Sequence, residues 1–157
     1  MKNIYVWILL TSVMLSGCAT TPKSTLTPLE IQALQTRTYE HNKEIAFPSV
    51  MSVFQDLGYT VNSANKDTGL ITAESATDSN GASKFWLGIT DVSQTKATAF
   101  IEQIGRNSSV RLNFVATNKK SSMYGQSDRQ DTPILDAMVY QNAFERIENA
   151  IFIRSSN

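Results

Sequence analysis

Cys18 is the only cysteine in this chain and His41 its only histidine. With one imidazole, a Ser-His-Asp arrangement has a single place to form and a His-rich metal site has none. His41 is flanked by Glu40, Asn42, Lys43 and Glu44, the setting of a solvated strand end. Carboxylates are scattered through expected turns (Asp67, Asp78, Asp128, Asp131) and helix faces (Asp56, Glu145, Glu148), and no spacing singles out an acid/base pair. Two acids drawn from distant positions, as in a glycosidase, have no positive support. Gly81, Gly88 and Gly105 stand alone, so no glycine-rich phosphate loop is present. The residues therefore point to no cofactor, no metal and no enzyme. A hydrolase would need His41 beside a serine or carboxylate in a cleft. The thiol has four uses to choose from: buried structural group, nucleophile, half of an intermolecular disulfide, or acylation site.

Its position separates these uses. Met1 and Lys2 precede an uncharged run from Ile4 to Leu15 rich in Ile, Val, Leu, Trp and Met. That is a positive start and an apolar core too short for a stable membrane span, the pattern of a secretory signal. Small residues follow at Ser16 and Gly17, and then the cysteine. Leu15-Ser16-Gly17-Cys18 resembles the lipobox of bacterial lipoproteins. The resemblance implies that the Cys18 thiol receives a diacylglyceryl group, that the peptide is cut before it, and that the new amine is acylated. At ~0.8 kcal/mol per buried methylene one acyl chain holds a protein marginally, whereas two or three attach it durably. The expected partner is thus a membrane, reached through acyl chains on Cys18. In this family an aspartate after the cysteine favours the inner membrane, so Ala19 implies the outer one, with the domain facing the periplasm.

Composition sets further bounds. The chain has 157 residues with 14 basic and 14 acidic side chains, and Lys2 is the only charge in residues 1–17. A domain so close to neutral lacks the basic stripe of a nucleic-acid binder. The expected organisation is a signal peptide at 1–17, a lipidated cysteine and flexible tether at 18–25, and a single α+β domain at 26–157. The seven residues from Ala19 to Thr25 reach at most about 25 Å, which keeps the domain near the membrane face.

Helix signals then alternate with strand signals. Thr27, Pro28 and Glu30 form a capping-box pattern with Leu26 and Ile31 as a staple, predicting a helix from Pro28 to Leu34. Gln35 to Glu40 reads as a strand. Phe47, Val50, Met51, Phe54 and Leu57 predict a helix ended by Gly58, with Pro48 in its first turn. Tyr59 to Ala64 and Leu70 to Ser75 read as a hairpin around Asn65 to Gly69. Lys84 to Ile89 is apolar but too short to classify. Lys96 to Ile104 and Ser109 to Thr117 are strands joined at Gly105 to Ser108, and Val110, Leu112 and Phe114 alternate with Arg111 and Asn113. Asn118 to Thr132 reads as a long polar loop, of a length that is often functional when ordered. Asp136 is placed to cap a closing helix, Ala137 to Phe152, with Tyr140, Phe144, Ile147 and Ile151 on one face.

The fold expected is α+β: an antiparallel sheet of about five strands with two main helices on one face. The Asp56-Leu57-Gly58-Tyr59 helix end, the Asn65 to Gly69 turn and Leu70-Ile71-Thr72-Ala73 resemble the helix-grip domains of BamC-like outer-membrane lipoproteins. The closing Tyr140 to Phe144 (Tyr-Gln-x-x-Phe) is similar to helices that end other small lipoproteins. The chain departs from the BamC pattern in having no room for a second domain or a long N-terminal segment. The resemblance implies an accessory or scaffold module that docks on an outer-membrane assembly, and carries over no catalytic residues. Candidate partner contacts are the aromatic pair Phe85 and Trp86, the cations Lys119 and Lys120, and Met123 with Tyr124; an exposed sheet edge is a further one. The alternative is a module binding an apolar ligand between helix and sheet, lined by Phe114, Phe144 and Ile147.

Overall fold

The structure, a computed structural model, describes residues 26–75, 94–121 and 127–156. Cys18, Phe85, Trp86, Met123 and Tyr124 lie outside the described residues, as do the Lys84 to Ile89 patch and the side chains of Lys119 and Lys120.

The first helix, α1 (Pro28–Gln35), opens with the capping box its sequence encodes. Glu30 Oε2 accepts the Thr27 amide at 2.7 Å, while the Thr27 hydroxyl accepts the Glu30 amide at 3.3 Å. The same Thr27 bonds hold the Glu30 carboxyl below its ordinary pKa. The chain passes directly into β1 (Thr36–Tyr39) and then into α2 (Lys43–Asp56).

α2 starts earlier than its apolar spacing indicates. Asn42 caps it, its Oδ1 accepting the Ile45 amide at 3.2 Å. Pro48 therefore lies inside the helix and not in its first turn. The amide that proline lacks would have served the carbonyl of Glu44, an exposed residue where water can substitute. Ala46, Phe47, Val50, Val53 and Phe54 are buried, and Gly58 follows Leu57 with φ 82°, the left-handed helix end expected at that glycine.

Five further strands follow: β2 (Tyr59–Asn65), β3 (Leu70–Ser75), β4 (Gln94–Ile104), β5 (Asn107–Ser121) and β6 (Ser127–Pro133). All pairings are antiparallel, in the order β1-β5-β4-β3-β2, with β6 also paired to β5. The sheet thus has six strands, and the α+β architecture expected from the sequence is the one observed. β4 occupies one side of β5. On the other side β1 covers Ser108 to Arg111 and β6 covers Val115 to Ser121.

The polar stretch from Asn118 to Thr132 is not the loop its composition suggests, because most of it is a β-hairpin. Lys119 pairs with Arg129 and Lys120 with Asp128. The sequence of both segments is polar, so no alternation marks these strands. They are extended because the β5 ladder continues into them.

The closing helix, α3 (Ala137–Ser155), is capped by Asp136 and packs with α2 on the inner face of the sheet. Tyr140, Phe144, Ile147 and Ile151 are all buried, each worth roughly 1.5–3 kcal/mol on leaving water. They meet Ile71, Ala99, Ile101, Val110, Leu112 and Phe114 of the sheet in one core. Ala97 sits opposite Phe114 and Ala99 opposite Leu112, so small residues on β4 face large ones on β5. β1 is pinned to α3 by the Tyr39 hydroxyl, which donates to the Phe144 carbonyl at 3.1 Å, and by the Arg37 guanidinium, 5.1 Å from the Phe144 ring centre.

Candidate functional site

Three places on this framework bear on function. The first is a cleft of about 310 Å³ between the end of β1 and the last turns of α3, lined by Tyr39, Glu40, His41, Glu148, Ile151 and Phe152 among others. His41 is half-buried here, more enclosed than a solvated strand end. It shares the cleft with two carboxylates, yet no hydrogen bond or ion pair joins its side chain to either among the described residues. Burial pushes the Tyr39 hydroxyl well above the ordinary tyrosine pKa, and its proton is already given to Phe144. The cleft thus gathers an imidazole, two carboxylates and the hydroxyls of Thr38 and Tyr39.

The second place is the space between α3 and the sheet, where an apolar ligand would sit. Phe114, Phe144 and Ile147 are buried there. The Phe114 ring packs 5.3 Å from Tyr140 and 6.3 Å from both Phe54 and Tyr59, centre to centre. These aromatic side chains occupy the room that a ligand would need.

The third place is the outer face of the sheet, which none of the helices among the described residues covers. Its rows follow from the register. Leu70 stands opposite Phe100, and Phe100 opposite Arg111. Leu70, Phe100 and Ile104 are 42%, 43% and 54% exposed, an unusual set on a strand face already open to water. Towards the other end of β4, Lys96 pairs with Glu74 at 3.6 Å, and these two line a shallow cleft of about 230 Å³ with Asn62, Thr72 and Thr98. The outer face therefore has an apolar end with Arg111 beside it, its Nε donating to the Thr36 hydroxyl at 3.3 Å, and a paired, polar end.

The β2 edge offers less. Its pairing with β3 shifts register between Val61 and Ser63, and a bulge at Asn62 twists an edge away from strand addition. Of the residues expected at a partner contact, only the backbones of Lys119 and Lys120 are described, and these lie on β5 beyond its pairing with β4. A comparison with protein-family models finds no match, and a comparison with curated proteins finds no sequence relative. The site therefore rests on its own geometry. Among the described residues, no group of three or more His, Cys, Asp or Glu is placed to hold a metal ion, and no helix is long and apolar enough to cross a membrane.

Sequence reasoning passed over Leu70, Phe100 and Ile104. The signal was present in β4: Thr95, Ala97, Ala99 and Ile101 alternate as a buried face, which forces Phe100, Glu102 and Ile104 outward.

Proposed function

We propose that this chain is a non-enzymatic, lipid-anchored envelope protein, held in the outer membrane through acyl chains on Cys18 and facing the periplasm. In this role it is an accessory or scaffold module that docks on an outer-membrane protein assembly. The observation that carries the reading is Leu15-Ser16-Gly17-Cys18 at the end of an apolar signal core, with the only thiol of the chain at the acylated position. After the short α1 the described elements run strand, helix, five antiparallel strands, closing helix, the order on which the helix-grip resemblance is drawn.

The docking surface in this reading is the outer sheet face around Leu70, Phe100 and Ile104, in preference to the bulged β2 edge. An exposed apolar patch with a charged margin suits a protein partner, because association removes the apolar area from water while Arg111 and Glu102 at its margin stay solvated. The packed core gives the apolar-ligand alternative no comparable support.

The test is Cys18→Ser in cells. Acyl labelling should disappear and the protein should leave the membrane fraction. A variant that stays in the membrane at wild-type level would sink the reading.

A further inference from the structure

α1 is apolar on two sides. Ile31 and Leu34 turn toward the body of the protein and are half-buried, Leu34 against the core. Leu29 and Ala33, one turn apart on another face, are exposed, Leu29 at 76%. None of its eight residues is buried. A helix this short is marginal in water, and the exposed Leu29 and Ala33 give it a second apolar strip beside the polar Glu30 and Gln32. Its single acid, Glu30, is turned back onto Thr27 by the capping box.

The neighbouring surface is mixed, with Thr36 and Arg37 of β1 beside apolar side chains. Ala33 and Leu34 line a cleft of about 240 Å³ whose other wall is Ala137, Tyr140, Gln141 and Phe144 of α3. Met138, in the first turn of that wall, is 71% exposed. The chain from Cys18 to Leu26 reaches at most about 29 Å, so the start of α1 is held within that distance of the anchored residue.

We infer that α1 and the first turn of α3 form a lipid-contact surface, with Leu29, Ala33 and Met138 resting at the headgroup–acyl boundary of the membrane. The inference rests on the lipid-anchor reading. A tether this short makes the contact intramolecular, with an effective concentration on the order of millimolar, so a few apolar side chains suffice where a free domain would stay in solution. α1 lies with α3 on the helical side, so this orientation turns the outer sheet face away from the bilayer and toward the periplasm.

The test uses the full lipidated protein in vesicles of phosphatidylethanolamine and phosphatidylglycerol. Acylation blocks Cys18, so Leu29→Cys or Met138→Cys supplies the only free thiol for an environment-sensitive nitrobenzoxadiazole label. Brominated acyl chains should quench the label at these two positions by about twofold or more and leave it unchanged at Phe152→Cys and Phe100→Cys. Leu29→Asp combined with Met138→Asp should abolish quenching of a label at Ala33→Cys without altering the thermal midpoint, because both side chains are exposed. With Cys18 acylated and the protein on the vesicle, an unquenched label at Leu29→Cys overturns the inference alone. That holds whether its emission is solvent-like or is shifted to the blue by a protein covering the helix. A protein lacking acyl mass and failing to bind removes the anchor reading and this inference together.

Discussion

The Tyr140 hydroxyl lies 3.4 Å from the Phe114 amide nitrogen and accepts its hydrogen. This contact sits where β1 has ended and β6 has not begun, so a side chain from α3 completes the edge of β5 that no strand among the described residues covers. The Phe114 carbonyl, on the same side, takes the Ile134 amide at 2.9 Å. The Tyr140 hydroxyl also accepts from Gln35 Nε2 at 3.3 Å, tying α1 to the same point. Tyr140→Phe keeps the ring and removes the acceptor from a buried amide, which should cost about 1–3 kcal/mol. Urea denaturation should show the midpoint fall with no change in slope; an unchanged midpoint would mean that the contact is incidental.

Gly69 closes the β2–β3 turn at φ 79°, and a Cβ there would stand 2.0 Å from the Ile101 carbonyl oxygen. The same glycine accepts the Ile101 amide at 2.8 Å, so the turn is pressed onto β4. Gly69→Ala adds a left-handed backbone penalty to a clash with main chain, and should lower stability by roughly 2–4 kcal/mol. Thermal unfolding measures this, and a loss under about 0.5 kcal/mol would contradict it.

Burial raises the hydroxyl pKa of Tyr39, Tyr59 and Tyr140 above the ordinary value of 10.0. A raised value in the folded state means that the unfolded chain gives up these protons first as pH rises. Stability from the three groups is therefore intact below pH 10 and declines above it, by up to about 1.4 kcal/mol per pH unit for each group. Denaturation midpoints should be level from pH 7 to 9 and fall between pH 10 and 11, and Tyr140→Phe should flatten the fall.

Elements with a local cause were legible from the sequence. Thr27 with Glu30, Gly58, Asp136 and the Tyr140 to Ile151 stripe each carry their own physical reason for a helix start, stop or face. α2 began earlier than expected because Asn42, a capping residue without an apolar signal, outweighed the position of Pro48. β6 was invisible because Ser127 to Pro133 is polar throughout and extended only through its partner β5, a non-local cause. The outer-face cluster went unread for a related reason: which strand face is open depends on where α2 and α3 pack. The acylation proposed for Cys18 rests, in contrast, on its position in the sequence alone.

The docking surface makes a separate prediction. Phe100→Glu places a charge on an open strand face and should change stability by less than about 0.5 kcal/mol. It should also reduce, severalfold, the in-cell yield of one reproducible protein adduct from a photo-crosslinker at Leu70. An adduct unaffected by Phe100→Glu, or formed equally from a crosslinker at Gln141 on α3, would move the docking surface elsewhere.

The account depends most on what happens at Cys18. Intact-mass measurement of the protein purified from its own membranes addresses this directly. The account predicts a chain that begins at Cys18, lacks residues 1–17, and carries the added mass of a diacylglyceryl group and an N-linked acyl chain. A mature chain with a free Cys18 thiol, or one cut at another bond, would contradict it.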